Sequence, residues 1–95
     1  MGRYKLSENA EADLIRIHQH GQRRYSEEQA DQYFRAFFER FEKIAEQPHL
    51  YSAVDHIREG YRRSVCGADS IYCRIAGDDV EIMAIIGQQD TGKWL

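Results

Sequence analysis

The stretch REGYRRSVCGADSIYCRIAGDDVEIMAIIGQQD, residues 58–90, decides the fold. Tyr61, Arg63 and Val65 alternate with Arg62, Ser64 and Cys66, the two-residue period of a strand whose successive side chains point to opposite faces. Gly67-Ala68-Asp69 supplies a turn. A second strand follows, with Ile71, Cys73 and Ile75 on one face and Tyr72 and Arg74 on the other. Gly77-Asp78 makes a short hairpin connection, of the kind that residues tolerating positive φ favour. In the third strand Val80, Ile82, Ala84 and Ile86 share one face and Glu81, Met83 and Ile85 the other. Being apolar on both sides, it belongs in the middle of a sheet, since at an edge it would invite aggregation. The three strands read as a β-meander that ends in a polar Gly87-Gln88-Gln89-Asp90 tail.

Upstream, the period changes to 3.6. Ser7 is placed to cap a helix, with Glu8, Glu11 and Asp13 near its start, where the positive end of the helix dipole favours acids. Ala10, Leu14, Ile17 and Gly21 mark its buried face, and it ends near Arg24. Ser26 followed by Gln29 repeats the start signal. The second helix carries Ala30, Tyr33, Phe34, Phe37, Phe38, Phe41, Ile44 and Ala45 as one long stripe, and Pro48 closes it. Such a stripe reads first as core. Tyr4 and Leu6 alternating with Arg3 and Lys5 are enough for a short strand before the first helix.

The order is therefore β-α-α-β-β-β, an α+β fold in which a helical hairpin packs on a mostly antiparallel four-stranded sheet. The first strand can pair with the last, because the helices carry the chain back across the sheet. Residues 1–95 form one domain, with no linker, repeat or low-complexity tract. At 42% hydrophobic and 12% aromatic the chain can bury a core, but a domain of this size gains from a partner.

Composition removes several function classes. No apolar run is long enough to span a membrane and no secretion signal opens the chain, so the reading is cytoplasmic with no membrane partner. Cys66 and Cys73 then read as reduced, buried thiols. His18, His20, His49 and His56 lack ligand spacing, so neither metal nor cofactor is expected. A net charge of −3 argues against nucleic acid as the main partner. The charge is unevenly spread: Arg58, Arg62, Arg63 and Arg74 concentrate on the predicted strands, either as a local positive patch or as a solvated face of scattered ion pairs.

The order of elements and the residues that fill it resemble the ParE toxins of the RelE/ParE superfamily of bacterial toxin–antitoxin systems. The resemblance rests on Leu6-Ser7 leading into Ala10, Ala12, Asp13-Leu14 and Ile17, on Ala30 and the Phe-rich face, and on Pro48. It continues through Ile57-Arg58-Glu59-Gly60-Tyr61-Arg62 at the start of the sheet and Gln89-Asp90 at its end.

The resemblance implies a toxin that inhibits DNA gyrase and is neutralised by a ParD-type antitoxin, whose C-terminal segment wraps around it. RelE-type relatives instead cut mRNA on the ribosome, which needs basic groups for the phosphate and a general acid and base near the attacked hydroxyl. Here Met83 stands where many family members carry a basic residue, Ile86 where they carry a histidine and Cys73 where a tyrosine is common. Those departures remove proton-transfer groups. The favoured reading is thus a non-enzymatic inhibitor without catalytic residues, with a ribosome-dependent endoribonuclease as the alternative and Tyr61 and Tyr72 as its remaining acid–base groups.

Candidate contacts to the target are Arg62, Arg63, Arg74, Gln88, Gln89, Asp90, Lys93 and Trp94. Trp94 is read either as an exposed anchor or as a cap folded back on the core. Candidate antitoxin contacts are Tyr33, Phe34, Phe37, Phe38, Phe41 and Arg58, around an apolar groove beside the helical hairpin. Arg62 and Arg63, being strand neighbours, must face opposite ways, one toward the helices and one toward a partner.

Overall fold

The computed structural model describes residues 2–87. Strand β1 (Arg3–Leu6) leads into helices α1 (Glu8–Arg24) and α2 (Glu27–Glu46). A 3-10 turn (Pro48–Leu50) and strands β2 (Ser52–Ala53), β3 (Tyr61–Cys66), β4 (Asp69–Ala76) and β5 (Asp79–Gly87) follow. The helix boundaries come from their caps. Ser7 Oγ accepts from the Ala10 amide and Ser26 Oγ from the Gln29 amide, each at 3.0 Å, satisfying a donor that the first turn of a helix leaves unpaired. After α2, Gln47 leaves helical geometry and Pro48, which cannot donate, opens the 3-10 turn.

The sheet is α+β in character but differs from the expected four antiparallel strands. It has five, in the order β1-β5-β4-β3-β2, and β1 runs parallel to β5. The first strand does pair with the last, and β5 is internal, flanked by β1 and β4. The added strand β2 is two exposed residues long, too short to show any periodicity.

A second correction concerns the faces of β5. Tyr72 pairs with Ala84 and Cys73 with Ile82, so Met83 is an extra residue that breaks strict alternation. Val80, Ile82 and Ile85 therefore point to the helices, while Ala84 and Ile86 pack on the opposite face with Met83 against them. The bulge gives the sheet two cores. On the helix side Phe37, Phe41, Ile44, Ile71 and Ile82 are wholly buried, with Ala10 and Leu14 of α1. On the other side Val54, Tyr61, Tyr72, Ala84 and Ile86 form a smaller cluster.

Helix side chains also finish the sheet where strands run out. Beyond β1, Ser7 Oγ donates to the Met83 carbonyl at 2.8 Å, and Asp13 Oδ2 accepts from the Ile85 amide at 3.0 Å. Arg16 braces Asp13 at 3.2 Å and reaches the Ile85 carbonyl at 3.4 Å. Beyond β2, Arg40 Nη1 donates to Ser64 Oγ at 2.8 Å and to the Val65 carbonyl at 2.7 Å. These bonds occupy main-chain groups that would otherwise form an open edge. Replacing Asp13 with Ala removes the acceptor of the Ile85 amide and should cost about 1–3 kcal/mol, read as a lower midpoint in urea with an unchanged slope. An unaltered midpoint would show that water serves that amide equally well.

Candidate partner-binding surfaces

Arg62 and Arg63 do separate. On β3 the residues Arg62, Ser64 and Cys66 turn to the helix side, and Arg62 Nη1 donates to the Tyr51 carbonyl at 2.8 Å, tying the approach to β2 onto β3. Its anchor is thus a main-chain carbonyl. Arg63 is exposed on the opposite side and, among the described residues, joins no ion pair. Arg74 lies across from Glu81, held at 2.7 and 2.8 Å, so much of its charge is already answered. Arg58 stacks over the Tyr61 ring, 5.7 Å from its centroid. The predicted positive patch is therefore mixed: one arginine free to act, the others engaged. Gln88, Gln89, Asp90, Lys93 and Trp94 lie outside the described residues.

Of the candidate antitoxin contacts, Phe37 and Phe41 are wholly buried. Contrary to the expectation from sequence they are core residues, which shape a surface from beneath but cannot touch a partner. Phe34 and Phe38 are half-buried, stacked edge-on at 5.1 Å, and His18 lies 4.9 Å from Phe34. His18 Nε2 also meets Asp31 Oδ1 at 2.7 Å, pinning α1 to α2. Tyr33 is half-buried, and its hydroxyl donates to Asp69 Oδ2 at 2.7 Å, with the Cys66 carbonyl 3.0 Å away. Burial first, and the Asp69 hydrogen bond second, push its phenol far above the ordinary tyrosine range. Close by, Gly67 holds the β3–β4 turn at φ +61°, where a Cβ would lie 2.6 Å from the Tyr33 ring. The aromatic surface left to a partner is thus the outer parts of Tyr33, Phe34 and Phe38.

Cys66 and Cys73 are buried and unlinked; both belong to the helix-side core but they are not cross-strand partners, since Cys66 stands opposite Asp69 and Cys73 opposite Arg62. Burial pushes the Cys73 thiol up to about 11, only partly opposed by Arg62. Tyr61 and Tyr72 are buried as well. The residues that sequence reasoning passed over are Asp13, Arg40 and Asp69. Asp13 is legible as an acid near a helix start and as part of the family resemblance but not as a main-chain acceptor, and nothing in the spacing of the others announced partners more than 20 positions away.

The architecture, two helices on one face of a five-stranded mixed sheet, is that of a toxin–antitoxin protein of known structure. A chain from the chromosomal ParDE TA system of P. aeruginosa superposes with a TM-score of 0.80 over 92% of this chain and 96% of its own, at 20% identity. Residues 4–91 match the family model for the ParE toxin of the type II toxin–antitoxin system parDE. Toxin ParE1 of Caulobacter vibrioides is 36% identical over 90 residues, covering 95% of this chain and 93% of that protein. Toxin ParE1 of Mycobacterium tuberculosis is 31% identical over 88 residues, covering 92% and 90%. The chain belongs to the ParE toxin family. Among its described residues no helix is long and apolar enough to cross a membrane.

Proposed function

We propose that the chain is the toxin half of a type II toxin–antitoxin pair, inhibiting DNA gyrase by binding and neutralised by a ParD-type antitoxin in the cytoplasm. The family match across residues 4–91 carries the toxin reading, and gyrase is the target that ParE resemblance implies. Support for binding over catalysis comes from the groups that could move protons. Tyr61, Tyr72 and Cys73 are all enclosed in the sheet's two cores, and the Cys73 thiol is held protonated at neutral pH. Mixed apolar and cationic surface suits a protein partner better than an attacked phosphate.

Arg63 is the described residue best placed to reach the target: rigidly held on an internal stretch of sheet, exposed and uncommitted. Tyr33, Phe34 and Phe38 supply the aromatic surface for the antitoxin. Purified protein should inhibit supercoiling by gyrase, and Arg63→Ala should weaken inhibition about tenfold or more while its melting temperature stays within a few degrees of the parent. Arg62→Ala should instead lower the melting temperature, because the Tyr51 carbonyl loses its donor. Unimpaired supercoiling together with cleavage of mRNA on ribosomes would replace this reading with the endoribonuclease one.

A further inference from the structure

Strand β3 keeps an unbroken register with β4, so Tyr61, Arg63 and Val65 all turn away from the helices. Tyr61 enters the smaller core, but Arg63 is exposed and Val65 is 45% exposed. A single exposed valine is ordinary. Val65 differs in its setting, because Ser70 beside it on β4 and Ile86 beyond on β5 are both buried. It stands at the uncovered end of an otherwise enclosed row. Two positions before it, about 6.7 Å along the strand, Arg63 sets a cation beside this apolar surface.

The backbone beneath the two is held from both sides. Arg63 is in register with Ser52 of β2 and with Tyr72 of β4. Val65 has Ser70 on one side, and on the other, where β2 no longer runs, Arg40 reaches across from α2. Its Nη1 donates to the Val65 carbonyl at 2.7 Å and to Ser64 Oγ at 2.8 Å. Ser64 is buried, so the guanidinium is tied to a fixed point, and a charged donor makes the stronger hydrogen bond. Arg40 thus stands in for the missing strand and fixes the direction in which Val65 and Arg63 project.

The other strand cations are answered within the chain, Arg62 by the Tyr51 carbonyl and Arg74 by Glu81. Arg63 is therefore a single charge beside apolar surface and not a member of a basic run. A nucleic-acid backbone would meet one usable cation and a valine, on a chain of net charge −3. A protein segment with one carboxylate next to a small apolar side chain uses both groups, and the valine keeps water from the ion pair.

Resting on the assignment of Arg63 to the target, we propose that Val65 and Arg63 form one apolar–cationic contact, positioned from behind by Arg40, and that the target presents to it an acidic side chain flanked by an apolar one.

Each variant is titrated against purified gyrase with relaxed plasmid, expressed in a bacterial host to read growth arrest, and melted. Val65→Thr keeps the branched shape but adds a hydroxyl, and should raise the half-inhibitory concentration about fivefold while melting within a few degrees of the parent. Ile75→Thr changes a residue 40% exposed on the helix side, in register with Val80, and should leave inhibition unaltered. Arg63→Glu should lose more than Arg63→Ala, because the target's acid is then repelled. Arg40→Ala should weaken inhibition about fivefold in the parent but not at all in a variant already carrying Arg63→Ala and Val65→Thr, whereas general damage would add in any background. Arg40→Lys, which keeps a donor for the carbonyl, should recover most of that loss. Full inhibition by Val65→Thr, an equal loss in Ile75→Thr, a milder loss with Arg63→Glu than with Arg63→Ala, or an Arg40→Ala loss that persists without the pair overturns the proposal. If the parent leaves gyrase untouched while Val65→Thr and Arg63→Ala both relieve growth arrest, the gyrase reading falls and the contact stands on another target. A parent that neither inhibits gyrase nor arrests growth removes both.

Discussion

Phe41→Ala should destabilise the chain by about 3–5 kcal/mol, a large share of the 5–15 kcal/mol typical of a folded domain. Phe41 is wholly buried and sits where three other rings converge: Tyr4 at 5.4 Å, Phe38 at 5.5 Å and Phe37 at 6.4 Å between centroids. Removing it leaves a hole that Tyr4 on β1 and the two phenylalanines on α2 cannot close together, because they belong to different elements. A melting temperature lower by about 12 °C or more is expected for a domain of this size, with Phe41→Leu losing much less. If Phe41→Ala melted within a few degrees of the parent, the helix–sheet interface would have to be looser than its burial implies. The same comparison shows why Phe41 is a poor candidate for antitoxin contact: its loss would be felt with no partner present.

A second large effect should appear in alkali. The Cys73 thiol ionises near 9 when unfolded but only at about 11 in the folded chain, because burial disfavours the thiolate. Between those values the unfolded chain releases a proton that the folded one keeps, so stability falls as pH rises. The contribution is fully present below pH 9 and declines by roughly 2 kcal/mol by pH 11. Cys66 and Tyr33, whose ionisations burial also pushes up, act in the same direction. Urea midpoints measured from pH 8 to 11 should drop steadily, and Cys73→Ser should flatten the curve. A midpoint independent of pH across that window would mean that the folded chain admits solvent to the thiol.

Much of the site lies on residues whose neighbours in sequence say nothing about their partners. Asp13 reads locally as an acid near a helix start, yet its carboxylate serves the Ile85 amide 72 positions away. Arg40 reads as one charge on an amphipathic helix, yet it closes the edge of β3. Arg62 and Arg63 are different, because strand periodicity alone requires them to diverge. Which of them faces the helices depended on the register of β3 against β4, and that is a property of the assembled sheet.

The sequence by itself determined both helices and their caps, the three long strands, the pairing of the first strand with the last and the family of the chain. The elements follow from short-range causes, since side-chain period, cap chemistry and glycine turns all act within a few residues, while the first-to-last pairing follows from the order of those elements and the family from the residues that fill them. Only the tertiary structure decided that β2 exists, that Phe37 and Phe41 are closed to any partner, and that Met83 splits the faces of β5. A one-residue bulge inverts every later side chain while leaving the composition untouched, so it is set by which arrangement lets Ile85 reach the helix side and Ala84 and Ile86 the other. That choice is made by packing across the sheet, between residues far apart along the chain.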